Sequence, residues 1–125
     1  MNIKILVVDE SATIHKIVAT AFETHNATVE SVTHSAEAIA KMEVSEPDIV
    51  LADANMPDLS GYDLSRQIKE SNQLGGTPVL LLIGKLETFD QETFNSSQAD
   101  GYIEKPFKFD NLVQKVESQR GQDLD

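Results

Sequence analysis

The chain has 125 residues, 40% apolar and 25% charged, the mix of an ordinary globular domain with enough material for one core. It has no cysteine, which excludes a disulfide scaffold, a thiolate zinc site and a cysteine nucleophile. Ten basic against twenty-one acidic residues leave a formal net charge of −11, so the surface repels nucleic-acid phosphates and anionic lipid, and neither is an expected partner.

Short apolar runs alternate with amphipathic stretches. Ile3, Ile5, Leu6, Val7 and Val8 form a nearly continuous apolar run, the pattern of a strand buried on both faces. It ends at once in Asp9-Glu10, so no signal-peptide pattern is present and the expected setting is cytoplasmic. Ser11 is placed to cap a helix whose apolar positions Ile14, Ile17, Val18, Ala21 and Phe22 share one face. Residues 28–33 alternate polar and apolar, as an edge strand does. A second helix follows Ser35, is marked by Ala36, Ile39 and Ala40, and stops before Pro47.

The third strand is read at 48–52, and Leu64 and Ile68 mark a third helix behind Ser60-Gly61. Gly75-Gly76-Thr77-Pro78 breaks that helix, and 79–83 is the most apolar strand of all, yet far too short to span a bilayer. A fourth helix is read over 86–98, with Phe89 and Phe94 as core residues. Tyr102-Ile103 lies in a short fifth strand. Phe109, Leu112, Val113 and Val116 give a last helix of clear 3.6 periodicity. Five strand–helix units imply an α/β domain with a parallel sheet and right-handed crossovers.

In such sheets sites form at the carboxyl ends of strands. The first strand ends in Asp9-Glu10, the third at Asp53, the fourth at Ile83-Gly84 and the fifth in Glu104-Lys105-Pro106. If the first and third strands are neighbours, three carboxylates converge, each pair repelling by roughly 4 kcal/mol at 4 Å. Protonation or a bound cation relieves that, and oxygen ligands favour Mg²⁺. The three histidines, His15, His25 and His34, lack ligand spacing and read as surface residues.

Asp9-Glu10 after a buried strand, Asp53-Ala54-Asn55-Met56-Pro57 with Gly61, and Lys105-Pro106-Phe107 resemble the receiver domain of two-component response regulators. The likeness covers nearly the whole chain: a receiver domain over 1–119, then a polar tail or the start of a linker over 120–125. It implies a flavodoxin-like, five-stranded parallel sheet in the order 2-1-3-4-5, with helices on both faces. It also implies that Asp53 is the phosphoacceptor and that Lys105 pairs with the phosphoryl oxygens. Glu10, Asp53 and the backbone carbonyl of Asn55 would then bind Mg²⁺, with Asp9 holding it through water. The Lys105-Pro106 peptide would be cis, and Tyr102 would be the switch aromatic. Implied partners are a histidine kinase or phosphotransfer protein and a downstream partner or effector domain; the module accepts a phosphoryl group and is not a turnover enzyme.

Two positions depart from the family pattern. Glu10 stands where Asp is commoner. Ile83 stands where receivers carry Thr or Ser, and Ile cannot donate a hydrogen bond to a phosphoryl group. The alternative function is therefore a phosphorylation-independent pseudo-receiver, a protein-interaction module. An aspartyl-nucleophile hydrolase fits less well, since no cap insertion and no positioned general acid are visible. Flavin binding conflicts with the acids at the strand ends. The resemblance places the regulated surface on the fourth helix, fifth strand and fifth helix. There, Glu87, Asp90 and Glu92 follow Lys85 without another basic residue, which favours a monomer or weak dimer.

Overall fold

The computed structural model describes residues 2–120. Five strands, β1 (Ile3–Val8), β2 (Ala27–Val32), β3 (Ile49–Asp53), β4 (Val79–Gly84) and β5 (Gly101–Lys105), form one parallel sheet in the order β2-β1-β3-β4-β5. The helices are α1 (Ala12–Ala21), α2 (Ala38–Ser45), α3 (Gly61–Glu70), α4 (Gln91–Ser97) and α5 (Phe109–Arg120). The sheet order and the helices on both faces are those the sequence implied.

The period-2 geometry of a strand sorts the apolar residues into two cores. Ile3, Ile5, Val7, Ile49, Leu51, Leu80 and Leu82 face α1 and α5, where Val18, Phe22, Leu112 and Val116 cover them. The alternate residues Leu6, Val8, Val50, Ala52, Val79, Leu81 and Ile83 face α2 and α3, under Met42, Leu64 and Ile68. Every residue of β3 is buried, which is why its sequence shows no alternation. β2 at the sheet edge is only partly covered.

Several boundaries differ from the sequence reading, each for a local reason. β3 starts at Ile49 and includes Asp53; Asp48 precedes it, its carboxylate accepting the Lys4 N–H at 2.8 Å. Ser35 opens a single 3₁₀ turn, and α2 proper begins at Ala38. α3 ends at Glu70, five residues before Gly75, because Ser71 is extended and its hydroxyl accepts from the Leu74 N–H. α4 begins at Gln91, since Asp90 caps it through the Glu92 N–H. Residues 86–90 are therefore loop, and Glu87 lies there rather than on a helix.

Phe94 packs on the α3-side core, but Phe89 is outside it and 37% exposed. The expected core role of Phe89 is thus corrected: its ring stacks on exposed Tyr102 instead, with centroids 4.8 Å apart. At the far end α5 runs through Arg120, and residues 121–125 of the expected tail lie outside the described residues. Among the described residues, no helix is long and apolar enough to cross a membrane.

Candidate functional site

β1 and β3 are neighbours, with Val8 opposite Ala52, so the residues that follow meet at the carboxyl edge of the sheet. Asp9 is 1% exposed and Asp53 is 8% exposed. Lys105, from the end of β5, reaches between them: its Nζ lies 3.0 Å from Asp9 Oδ2 and 3.4 Å from Asp53 Oδ1. Two backbone donors complete the arrangement. The Ser11 N–H bonds Asp9 Oδ1 at 2.8 Å, and the Asn55 N–H bonds Asp53 Oδ1 at 3.3 Å.

Local sequence holds these groups in place. Ser11 and Ser60 cap α1 and α3 through the Ile14 and Asp63 N–H groups, which starts each helix directly above the site. The Gly61 N–H donates to the Ala54 carbonyl at 2.9 Å and folds the 54–61 loop back on β3. Asp58 in that loop accepts the Ser35 and Ala36 N–H groups, and the Ser35 hydroxyl donates to the Leu59 carbonyl at 2.7 Å. The Lys105–Pro106 peptide is cis.

Burial raises the Asp53 pKa, and the Asp9 charge raises it further; the nearby Lys105 ammonium partly offsets both. The folded state therefore binds the Asp53 proton more tightly than the unfolded chain does. Its contribution to stability is full below the unfolded carboxylate range and is lost as pH rises through the raised folded value. Asp53→Asn removes this penalty and is expected to raise the urea midpoint at pH 7 in metal-free buffer, an advantage that shrinks as the pH is lowered toward 4. A variant no more stable than the parent at pH 7 contradicts the electrostatics described.

The structure thus brings Asp9, Asp53 and Lys105 into contact, with the Asn55 backbone beside them. Glu10 is exposed, and among the described residues no group of three or more acids or histidines is placed to hold a metal. Two convergent carboxylates still suit Mg²⁺, which commonly takes one or two carboxylates and keeps several waters. The histidines stay apart. His15 is half-buried on α1, its Nε2 lying 2.5 Å from the Asp9 carbonyl, while His34 sits on the surface beside Glu37.

Ile83 is 3% exposed and belongs to the apolar core, so no hydroxyl stands at that strand end. Tyr102, on the adjacent strand, is 41% exposed and packs on Phe89 and Phe94. Next to Lys105 a cleft of about 440 Å³ opens between Ile14 and Ile17 of α1 and the loops bearing Glu87 and Pro106. The sequence reading did not single out Asp58 or Glu87 as groups near the site. A carboxylate three residues after Gly84 was the visible signal for the latter, but only the turn conformation shows where it goes.

A parallel 2-1-3-4-5 sheet carrying two buried acids and a lysine at its carboxyl edge defines the class, a flavodoxin-like α/β domain. The family model for the response regulator receiver domain matches residues 5–117, and the chain belongs to that family. Among curated relatives, the transcriptional regulatory protein TrcR of Mycobacterium tuberculosis is 32% identical over 91% of this chain and 44% of its own length. Protein PilG of Pseudomonas aeruginosa is 29% identical over 94% of this chain and 87% of its own length. The chain spans about half the length of TrcR and of the regulators VanRc of Enterococcus gallinarum and ResD of Bacillus subtilis.

Among solved structures, the chemotaxis response regulator CheY4 of Vibrio cholerae superposes with a TM-score of 0.86 at 25% identity, covering 94% of this chain and 98% of that one. The receiver domain of the Pseudomonas aeruginosa sensor histidine kinase PA1611 gives a TM-score of 0.86 at 22% identity, over 98% of this chain and all of its own. That likeness shows the fold; the neighbour itself is described with a magnesium ion coordinated in its active site cleft. Receiver domains are signal-transduction modules that interact with histidine kinases and downstream effectors.

Proposed function

We propose that Asp53 accepts a phosphoryl group from the phosphohistidine of a kinase or phosphotransfer protein, and that the modified domain changes its binding to a downstream partner. The observation that carries this reading is the Lys105 ammonium shared between buried Asp9 and partly desolvated Asp53. An Asp53 carboxylate oxygen attacks phosphorus. The P–N bond of the donor breaks, its electron pair returns to the imidazole, and the product is an acyl phosphate. Phosphoryl transfer is largely positioning and charge neutralisation. Burial makes Asp53 the more basic of its kind, the Asn55 N–H orients it, and Lys105 pairs with the phosphoryl oxygens.

Glu10, Asp53 and the Asn55 carbonyl would hold Mg²⁺, with Asp9 holding it through water; the ion would supply charge neutralisation at the transferred oxygens. The domain acts once per phosphoryl group, with slow self-hydrolysis, and is not a turnover enzyme. The exposed Tyr102 and Phe89 rings, backed by partly buried Phe94, support a protein partner on the α4–β5 face, for a domain that is a monomer or weak dimer in the cytoplasm without direct nucleic-acid contact.

With Mg²⁺ and a small phosphodonor, intact mass is expected to show one phosphoryl group on the parent and none on Asp53→Asn; beryllofluoride is expected to move site amides only in the parent. No adduct and no Mg²⁺-dependent shift in the parent rejects the proposal. Ile83→Thr separates the competing reading. If a response appears only after that substitution, the natural chain docks its partner without phosphorylation.

A further inference from the structure

The N–H of Gly84 occupies an unusual place in the sheet. Leu82 offers its carbonyl to the Ala54 N–H at 2.9 Å, so its backbone faces β3. Backbone groups repeat their direction every second residue along a strand, so the Gly84 N–H faces the same side, past the point where β3 ends at Asp53. The ladder acceptor next in line, the Ala54 carbonyl, is already taken by the Gly61 N–H. The donor at the end of β4 is thus left without a strand partner, beside the phosphoacceptor.

Glu87 fills that place. Its Oε2 accepts the Gly84 N–H at 2.7 Å, and a β-carbon added at Gly84 would lie 2.6 Å from the same oxygen. The 84–87 turn is already closed by the Glu87 N–H on the Gly84 carbonyl at 3.1 Å, so the carboxylate is not needed to form it. Two further observations bear on where Glu87 lies. It lines the same cleft as Lys105, and, after burial, its charge helps raise the pKa of Tyr62 on α3.

We propose that Glu87 is a resident anion of the site: it occupies the Gly84 N–H in the unmodified protein and is exchanged for a phosphoryl oxygen when Asp53 is modified. This rests on the phosphoacceptor reading and adds its regulation. A phosphoryl group brings up to about two negative charges, which repel the Glu87 carboxylate and compete for its donor. Occupancy by Glu87 therefore opposes modification, and its release moves the loop that carries exposed Leu86.

Beryllofluoride with Mg²⁺, titrated into the parent, Glu87→Ala and Glu87→Gln while amide resonances are followed, tests the exchange. Glu87→Ala is expected to half-saturate at about tenfold lower beryllofluoride, the value of one hydrogen bond. Glu87→Gln, which keeps an acceptor but no charge, is expected to fall between. Before any addition, the Gly84 amide of Glu87→Ala is expected to lie upfield of its position in the parent. Equal half-saturation in all three proteins, or an unmoved Gly84 amide, overturns the exchange alone. Absence of any response in all three overturns it together with the phosphoacceptor reading.

Discussion

Gly61→Ala is expected to lose about 3 kcal/mol of stability or more, read from urea unfolding. A β-carbon there would sit 2.8 Å from Ala54 Cα and closer still to the Asp53 carbonyl oxygen. Both obstacles are backbone, one the last residue of the fully buried β3 and the other the residue directly after it, so neither gives way without moving the strand. Relief means pushing α3 off the sheet or displacing Asp53 itself. Gly76→Ala is the matched control: nothing lies within 4 Å of its added carbon, and its effect is expected within about 0.5 kcal/mol. A Gly61→Ala protein as stable as the control would mean that α3 does not start against the β3 terminus as described.

Lys105→Met is expected to cost roughly 3 kcal/mol at pH 7, because it leaves two buried carboxylates facing each other without their shared cation. The side chains are 20% exposed for Lys105, 12% for Asp53 and 1% for Asp9, so water screens the pair only weakly. Losing Lys105, the largest influence that lowers the Asp53 pKa, leaves burial and Asp9 to raise it against the Asn55 N–H alone. The deficit is therefore expected to narrow as pH falls and one carboxyl binds a proton, and to narrow also on adding Mg²⁺. Combining Lys105→Met with Asp9→Asn is expected to recover part of the loss. A deficit independent of pH and of Mg²⁺ would show that the lysine acts by packing alone.

The strands that build the site were legible because burial on both faces writes itself as an uninterrupted apolar run, as in 79–83, and the runs of β1 and β3 stop at Asp9 and Asp53. Asp9, Asp53 and Lys105 could therefore be read from strand ends before any geometry was known. Glu10 could not be placed so well: adjacent residues leaving a strand point in different directions, and here Asp9 turns inward while Glu10 is exposed. The 86–98 segment misled for a related reason. Its helix is seven residues long, and Phe89, which suggested a core face, belongs to a surface ring cluster in the loop before the cap. Glu87 was read only as a surface acid because its partner is a backbone N–H, and backbone donors have no letter in the sequence.

The bonds from Asp58 to the Ser35 and Ala36 amides, with the Ser35 hydroxyl on Leu59, have a mechanical consequence. They rivet the segment after Asp53 to the start of the second helix, so one half of the rim around the acids behaves as a stiff bracket. The other half, from Gly84 to Asp90, is held by its own Gly84–Glu87 turn and by the Phe89 ring on Tyr102, without a side-chain bond to the 54–61 loop among the described residues, and carries Leu86 fully into solvent. Any stress generated between the two halves is absorbed by the pliant one, and displacement is delivered to a single side of the molecule.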